Sequence, residues 1–284
     1  MKTVFIAGAT GYLGQYLCAE YHNQGWRVVA LVRDVRRAIN LLADIVIEAE
    51  ATRPETLAGA MQGVDLVVSA LGMTRQTDGV GYWDVDYQAN INLLNEAQRS
   101  SVRRFGYIHV LNGDQMPLVP PVAAKNAFVR KLQLAPIRST VIAPSGYFSD
   151  MADIMDMARN GRIWLFGSGR QRLNPIHGAD LAAATFRAID AGMPWRDVGG
   201  PDTFTQNDLA RLCFQILNKP DRTVHLPDVL RRAILRIVPK IARRSVAGPV
   251  QFFLTALSMD MVGDSFGTHR LEDHFKRLVS DADP

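Results

Sequence analysis

An α/β fold with a doubly wound parallel sheet is predicted by two features of the sequence. Six short apolar runs precede residue 145, and they lack the polar alternation expected of strands with one solvent-facing side. Segments of helical periodicity separate these runs, as the crossovers between parallel strands require. We therefore expect residues 1–146 to form a sheet that helices cover on both faces.

The predicted elements follow in chain order. Strands are expected at residues 4–7, 27–32, 44–47, 65–70, 107–110 and 139–142. Helices are expected at residues 11–24, 34–40, 54–61, 84–100 and 125–133. Gly25 is a typical residue to end the first helix. The helix 84–100 is amphipathic, because Val85, Ala89, Leu93 and Ala97 fall along one side of it.

The pattern changes beyond residue 147, where helices dominate and only short extended pieces separate them. These helices are expected at residues 151–160, 178–191, 206–217, 227–241 and 250–259. We therefore expect residues 147–284 to form a smaller, mostly helical substrate-side portion that is interleaved with the sheet domain of residues 1–146.

Composition and charge exclude several classes of function. The formal net charge is only +4, so we expect no nucleic-acid binding. The two cysteines, Cys18 and Cys213, lie in predicted helices outside any CxxC or Cys/His cluster, which favours buried thiols and no metal site. Met1 is followed at once by a predicted strand, and no run approaches the ~20 apolar residues of a membrane span, so we expect a cytoplasmic protein.

A glycine-rich turn joins the first strand to the first helix. Its spacing, G-x-x-G-x-x-G, is typical of the Rossmann-type dinucleotide site when it stands between a buried strand and a helix. Gly8 permits the tight turn, Gly11 lets the backbone approach a pyrophosphate, and Gly14 lets the helix pack closely on the sheet. We expect the cofactor to contact Gly8, Thr10, Gly11, Tyr12, Leu13 and Gly14.

The end of the second strand indicates which nucleotide binds. An NAD-selective site usually has an acidic residue there, which binds the ribose 2′-hydroxyl. This sequence has Arg33 instead, with Arg36 and Arg37 close behind and Asp34 one step beyond the usual place. Because a guanidinium suits a 2′-phosphate, NADP(H) is favoured over NAD(H). The alternative is that these arginines only form a solvated helix start.

The chain resembles the atypical, extended short-chain dehydrogenase/reductase superfamily, and in particular its NmrA-like NAD(P)H-binding branch, which includes isoflavone-reductase-like and divinyl-reductase-like proteins. The residues that carry the resemblance are 8–14, Arg33, 67–72, 85–90, 144–148, 174–177 with Asp180, and 199–201 with Thr205. The resemblance implies that Glu50 lies near the adenine, and that Ala70, Leu71 and Gly72 line the ribose and nicotinamide side. It also implies that Lys125 is the lysine of the family's YxxxK motif.

The chain departs from that motif at its catalytic tyrosine. Pro121 stands four residues before Lys125, and His109 stands where the fifth strand commonly ends in serine. Proline cannot donate a proton, so the usual tyrosine chemistry is not available in its standard form. Lys125 could hold nicotinamide ribose hydroxyls, or it could be a solvent-facing lysine. His109 is the first candidate for a proton donor, with a packing histidine as the alternative, and Tyr147 is a pocket or donor candidate.

Two functions follow from these residues. The first is an NADPH-dependent reductase of a small carbonyl or conjugated double bond, with His109 or Lys125 as the proton donor. The second is a catalytically silent protein that senses NADP(H) and regulates a partner. By analogy with the family, the helix 84–100 is a candidate homodimer face.

A basic segment, residues 230–244, adds a candidate interaction surface. Aliphatic residues alternate in this segment with six basic ones, which are Arg231, Arg232, Arg236, Lys240, Arg243 and Arg244. Such a helix can lie on an anionic membrane or against a partner protein, and Pro239 is expected to kink or end it. The alternative is a helix that packs its apolar side on the core and leaves its arginines in solvent.

Overall fold

A computed structural model describes residues 1–73 and 79–280, and it contains one large parallel sheet. The strands, in chain order, are β1 (Thr3–Ala7), β2 (Arg27–Val32), β3 (Ile45–Glu48), β4 (Leu66–Ser69), β5 (Arg104–Ile108), β6 (Arg138–Pro144), β7 (Ile163–Phe166), β8 (Arg172–Leu173), β9 (Trp195–Gly199), β10 (Phe204–Thr205), β11 (Thr223–Leu226) and β12 (Asp264–Ser265). Eight of them pair in the order β12-β9-β6-β5-β4-β1-β2-β3, and every neighbouring pair is parallel. The order reverses between β1 and β4, so the predicted doubly wound Rossmann-type sheet is confirmed.

Helices cover both faces of the sheet. They are α1 (Tyr12–Asn23), α2 (Asn90–Arg99), α3 (Pro120–Leu134), α4 (Ala152–Arg159), α5 (Gly178–Asp190), α6 (Gln206–Ile216), α7 (Asp228–Ile241), α8 (Arg244–Ala256) and α9 (Leu271–Ser280). Side chains of β1 alternate between two apolar cores: Val4 and Ile6 pack with α1 and α5, whereas Phe5 and Ala7 pack with α2 and α3. This alternation explains why the strands read as uninterrupted apolar runs.

Two predicted helices are shorter than expected. Residues 34–40 and 54–61 contain only the 3₁₀ turns Val35–Ala38 and Pro54–Leu57. The Asp34 side chain accepts the Arg36 amide at 3.0 Å, which caps a tight turn. After Pro54–Leu57 the chain leaves the helical conformation at Ala58, and Gly59 has a φ of +77°.

The predicted helix 84–100 consists of two helices of different type that follow one another without a break. Its first part, Trp83–Ala89, is a π-helix, and α2 continues from Asn90. The Asn90 amide group donates to the carbonyls of Val85 and Asp86 at 3.2 and 3.0 Å, so a side chain occupies part of the helical hydrogen-bond ladder. Its use as a homodimer face stays a prediction.

The second half of the chain contributes to the large sheet. The strands β9 and β12 extend it beyond β6, and α5 packs beside α1, whereas α4, α6 and α9 enclose a separate apolar core. The sequence analysis did not place β9, β12 or α9. The two strands are short and mostly polar, whereas α9 has its apolar residues at helical spacing and was missed. Cys18 and Cys213 are buried thiols, as predicted. No helix within residues 1–73 and 79–280 is long and apolar enough to cross a membrane.

Candidate functional site

The glycine turn between β1 and α1 lies at the point where the strand order reverses. Gly8 has a φ of +83°, and a Cβ there would lie 2.9 Å from the Ala70 carbonyl oxygen. A Cβ on Gly14 would lie 2.0 Å from the Gly8 oxygen. Both glycines are therefore required by the fold itself.

Gly11 differs, because the fold does not need a glycine there. Its φ of −76° and ψ of 169° are open to any residue, and the nearest atom to an added Cβ is the Gly8 oxygen at 3.2 Å. Gly11 is also the N-cap of α1, which has no side-chain cap and no acidic residue in its first turn. The free amides at this helix start form a cradle that suits a pyrophosphate and that a side chain would narrow.

The residues that follow β2 and β3 lie at the carboxyl ends of the two strands next to β1 in the sheet. Arg33 and Arg37 are exposed; within the described residues Arg33 forms no ion pair, whereas Arg37 acts electrostatically on Asp34. Arg36 forms an ion pair with Asp34 at 2.8 Å, which engages that carboxylate. Glu50 is half-buried after β3, and its amide donates to Thr56 at 3.0 Å.

A cavity of about 470 Å³ extends from the glycine turn along the carboxyl ends of the strands. The predicted site residues that line it are Gly8, Gly11, Tyr12, Leu13, Gly14, Ala70, Gly72, His109, Lys125 and Tyr147. Thr10, Arg33, Glu50 and Leu71 lie outside its lining. The cavity thus runs from the glycine turn past Lys125 and Tyr147 to the apolar residues of the second half of the chain.

Lys125 forms an ion pair with Asp86, which sequence reasoning had not singled out. The Lys125 Nζ lies 3.0 Å from Asp86 Oδ1, with the lysine side chain 17% exposed and the aspartate fully buried. Asp86 also accepts the Met73 amide at 3.2 Å. Lys125 is therefore not a solvent-facing lysine. A Cβ on Gly72 would lie 2.7 Å from Nζ, so the ion pair sits directly against the loop after β4.

The charge on Lys125 is maintained by its neighbours. Burial alone would lower the pKa of Lys125, but Tyr107 and Asp86 outweigh burial and hold that pKa above its ordinary value. Burial raises the pKa of Asp86, and the ion pair with Lys125 opposes this rise. The ammonium also lies 5.4 Å from the centre of the buried Tyr107 ring. We conclude that Lys125 stays a cation at neutral pH.

His109 is in the cavity wall, but its environment does not suit the proton-donor role expected from the sequence. It is buried, and burial together with the nearby Lys125 charge lowers the pKa of His109 to about 3. The imidazole is therefore neutral near pH 7 and carries no proton that it could give up readily. The role of His109 as a proton donor stays a prediction, and its low pKa argues against it.

Tyr147 is the tyrosine that the cavity places near Lys125. Burial raises the pKa of Tyr147 above its usual range and Asp150 adds to the rise, while the Lys125 charge acts in the opposite direction. The phenol therefore stays protonated. Its ring centre is 5.6 Å from that of Tyr12, whose hydroxyl accepts the Gly178 amide at 3.1 Å. Pro121 occupies the first turn of α3, where a missing N–H is tolerated, and it lines the cavity without a proton to give.

An apolar wall closes the far side of the cavity. It comes mainly from α8 and the segment after it: Pro249, Phe252, Phe253, Ala256, Leu257, Met259 and Met261. The apolar run at residues 252–254 was visible in the sequence, but nothing local placed it against the strand ends. Such a wall favours a substrate with a large apolar surface.

Comparison with known proteins supports a nucleotide-binding reductase fold. Residues 8–138 match the NAD(P)H-binding family model. The chain is 24% identical over 247 residues to photosystem II assembly factor Ycf39 of Synechocystis, covering 84% of this chain and 74% of that protein. It is 24% identical, over an alignment of 319 positions, to the chloroplastic divinyl chlorophyllide a 8-vinyl-reductase of Zea mays. The alignment covers 98% of this chain and 79% of that protein. The fold matches NADPH-dependent quinone oxidoreductase QOR2 of Escherichia coli with a TM-score of 0.77 at 18% identity, covering 97% and 99%.

Proposed function

We propose that the chain is an NADPH-dependent reductase of an apolar substrate, because residues 8–138 match the NAD(P)H-binding family model and the fold is similar to that of an NADPH-dependent quinone oxidoreductase. The reducible group is a conjugated double bond or a carbonyl. One observation carries this proposal: a single cavity joins the open cradle at Gly11, the charged Lys125 and the apolar wall of α8.

The nucleotide is held by main-chain amides and selected by arginine. The amides at the start of α1 bind the pyrophosphate, and Ala70, Leu71 and Gly72 line the ribose and nicotinamide side. Glu50 faces the adenine. Arg33 is exposed and forms no ion pair within the described residues, so it binds a 2′-phosphate in preference to a ribose hydroxyl. The similar QOR2 structure is a complex with NADPH, which agrees with this choice of nucleotide.

The proton comes from Tyr147 in this proposal, and Lys125 positions the groups around it. The reduced nicotinamide, when bound, supplies the hydride for one end of the substrate double bond. The Tyr147 hydroxyl gives its proton to the other end and is reprotonated from solvent; burial raises the pKa of this phenol, and the Lys125 cation acts against that rise and favours the transfer. The Lys125 cation binds the nicotinamide ribose and stabilises the phenolate that forms. Asp86 holds the Lys125 ammonium in place through the 3.0 Å contact. Tyr147 thus replaces the tyrosine that Pro121 has displaced.

The substrate is expected to be apolar and conjugated. The α8 wall offers aromatic and aliphatic side chains and no ionisable group. The names of two similar proteins, a divinyl chlorophyllide reductase and a quinone oxidoreductase, describe conjugated substrates of this type. A conjugated substrate also suits the Lys125 cation. The negative charge that hydride transfer creates on such a substrate is delocalised over its conjugated system, and a nearby cation stabilises that charge.

Turnover with a panel of quinones, enones and vinyl-substituted conjugated rings tests this function. We expect NADPH oxidation with at least one apolar member, a large loss of kcat in Tyr147→Phe, and no comparable loss in His109→Asn. The control is NADPH affinity, which Tyr147→Phe should leave nearly unchanged. Full kcat in Tyr147→Phe would refute the donor assignment, and an inert panel would count against the reductase.

A second function is an NADP(H)-sensing protein without turnover. Two observations favour it: Pro121 replaces the motif tyrosine, and one relative is named an assembly factor. The test is calorimetric titration with NADPH and NADP⁺. A marked preference between the two forms, with an inert substrate panel, would support sensing, and sustained NADPH oxidation would exclude it.

A further inference from the structure

The helices α7 and α8 form a hairpin, residues 228–256, whose outer surface is apolar and basic at once. No residue of α7 is buried, although the structure describes all of them. Leu230, Ile237 and Ile241 are 44%, 51% and 77% exposed. Their spacing of seven and four residues places them along one side of the helix. Ala233, Ile234, Leu235 and Val238 are half-buried, so α7 has a second apolar side that packs on the protein, and the exposed stripe is additional to it.

A basic stripe runs beside the apolar one. Arg232, Arg236 and Lys240 are exposed and recur every four residues. Arg232 shares an exposed ion pair with Asp228 at 3.0 Å, whereas Arg236 and Lys240 have no acidic partner within the described residues. Residues 229–259 contain no Asp or Glu, so the six basic residues of this stretch exceed the net charge of +4 of the whole chain. The side chain of Arg244 lies outside the described part.

Arg231 has a different task from the other basic residues. Its side chain is only 11% exposed, and it donates to Asp228 at 2.6 Å and to the Leu254 carbonyl at 3.1 Å. It therefore joins α7 to α8 and fixes the orientation of the hairpin. A surface with aliphatic side chains on one stripe and fixed cations on the next is complementary to an anionic lipid interface.

We propose that the outer surface of this hairpin docks on an anionic lipid membrane. The apolar stripe enters the boundary between headgroups and acyl chains, and Arg236 and Lys240 bind the anionic headgroups beside it. An anionic bilayer satisfies both stripes at once, since aliphatic side chains need a non-polar medium and unpaired cations need negative charge. Docking needs no nucleotide.

The hairpin also connects the membrane surface to the cavity. The helix α8 packs on α7 and supplies Pro249, Phe252 and Phe253 to the apolar wall. A substrate dissolved in the same bilayer would then reach the cavity beside α8. This consequence rests on the proposed reductase function, whereas docking itself does not.

Co-sedimentation of the full chain with vesicles tests the docking. Two vesicles are needed, pure phosphatidylcholine and the same lipid with roughly 30% phosphatidylglycerol. We expect binding to the anionic vesicles, weak binding to the neutral ones, and release as salt rises from about 0.1 to 0.5 M. Arg236→Glu/Lys240→Glu and Ile237→Ser/Ile241→Ser should each weaken binding by tenfold or more.

Matched variants on α3 control for charge and hydrophobicity. Arg130→Glu/Lys131→Glu makes the same change in net charge at exposed positions, and Leu134→Ser removes a side chain that is 84% exposed. Neither should weaken vesicle binding as the hairpin variants do. Docking is overturned if the anionic vesicles do not bind the chain, or if the α3 charge variant loses as much binding. It is also overturned if the isoleucine variant abolishes a protein dimer and has no effect on vesicle binding.

NADPH affinity is measured in parallel on the same samples. Intact NADPH affinity without vesicle binding would overturn the docking alone. Vesicle binding without NADPH affinity would overturn the proposed function alone.

Discussion

The ion pair between Lys125 and Asp86 makes a prediction about stability that depends on pH. In Asp86→Asn the amide keeps the size of the carboxylate but loses its charge, so the Lys125 cation remains in a site that is only 17% open to solvent. Breaking a buried pair from one side typically costs about 3–5 kcal/mol. Because this lysine keeps some solvent, we expect about 3 kcal/mol of the free energy of unfolding to be lost at pH 7, which is roughly 5–10 °C in Tm.

The sign of the pH dependence follows from the direction of the pKa shift. In the parent chain the pKa of Lys125 is raised, so its contribution to stability is complete below the pKa of an unfolded lysine and is lost only when pH rises through the higher folded value. Asp86→Asn removes one of the two groups that oppose burial and leaves Tyr107, so we expect burial to dominate in the variant and to lower the pKa of Lys125. The unfolded variant then binds more protons than the folded one, so the variant should gain stability as pH rises from 7 to 10.

Thermal unfolding at several pH values measures this effect. The gap in Tm between parent and variant should narrow as pH rises. Glu272→Gln is the control, since it breaks the exposed Glu272–Lys276 pair at 2.6 Å and should change Tm little at any pH. A gap that is absent, or that stays constant from pH 7 to 10, would refute the buried ion pair as an energetic unit.

Three further predictions test other parts of the site. Arg33→Ala should weaken NADPH binding by about 1.5–3 kcal/mol in calorimetry and leave NADH binding unchanged, because a charge-assisted contact to a 2′-phosphate is lost. Arg36→Ala is the control and should weaken NADPH binding less, since Arg36 is paired with Asp34. An equal loss of NADPH and NADH affinity in Arg33→Ala would contradict the assignment. His109→Asn should reduce the loss of Tm as pH falls from 6.5 to 4, because a folded-state pKa of about 3 makes the unfolded chain take up the proton first; an identical acid limb in parent and variant would contradict it. Gly14→Ala should fail to fold or lose several kcal/mol, since its Cβ would lie 2.0 Å from the Gly8 oxygen, and a stable variant by thermal unfolding would show that the turn is not close-packed.

Elements with a local pattern of residues could be predicted from the sequence. Elements that exist only through contacts with distant parts of the chain could not. The apolar runs and the glycine turn placed β1 to β6 and α1; burial on both faces leaves a local signature in the inner strands, and the edge strand β3 was placed by its three aliphatic residues although none of them is buried. The strand β12 has only two exposed residues and is a strand solely because it pairs with β9. The π-helix at Trp83–Ala89 depends on the Asn90 side chain, whose oxygen also accepts the Ser69 hydroxyl at 2.6 Å across 21 residues.

The candidate site divides in the same way. The glycines and Lys125 occupy positions that a short motif defines, so their location was predictable from spacing. Asp86 was not singled out, because its role depends on α3 bringing Lys125 to 3.0 Å from it. The protonation state of His109 was also beyond sequence reasoning, since burial and a neighbouring cation together set its pKa. The apolar wall needed the fold that brings α8 over the strand ends.

Calorimetric titration of NADPH into the parent chain and into Gly11→Ala tests the central claim most directly. The φ and ψ of Gly11 are open to any residue, and an added Cβ would lie 3.2 Å from the Gly8 oxygen, which a small shift of the turn relieves, so the variant should keep its fold and its Tm within a few degrees. We expect the parent to bind NADPH and the variant to bind at least about tenfold more weakly, since one methyl group separates the helix amides from the pyrophosphate. Equal affinities, or a parent chain that does not bind NADPH, would contradict the account.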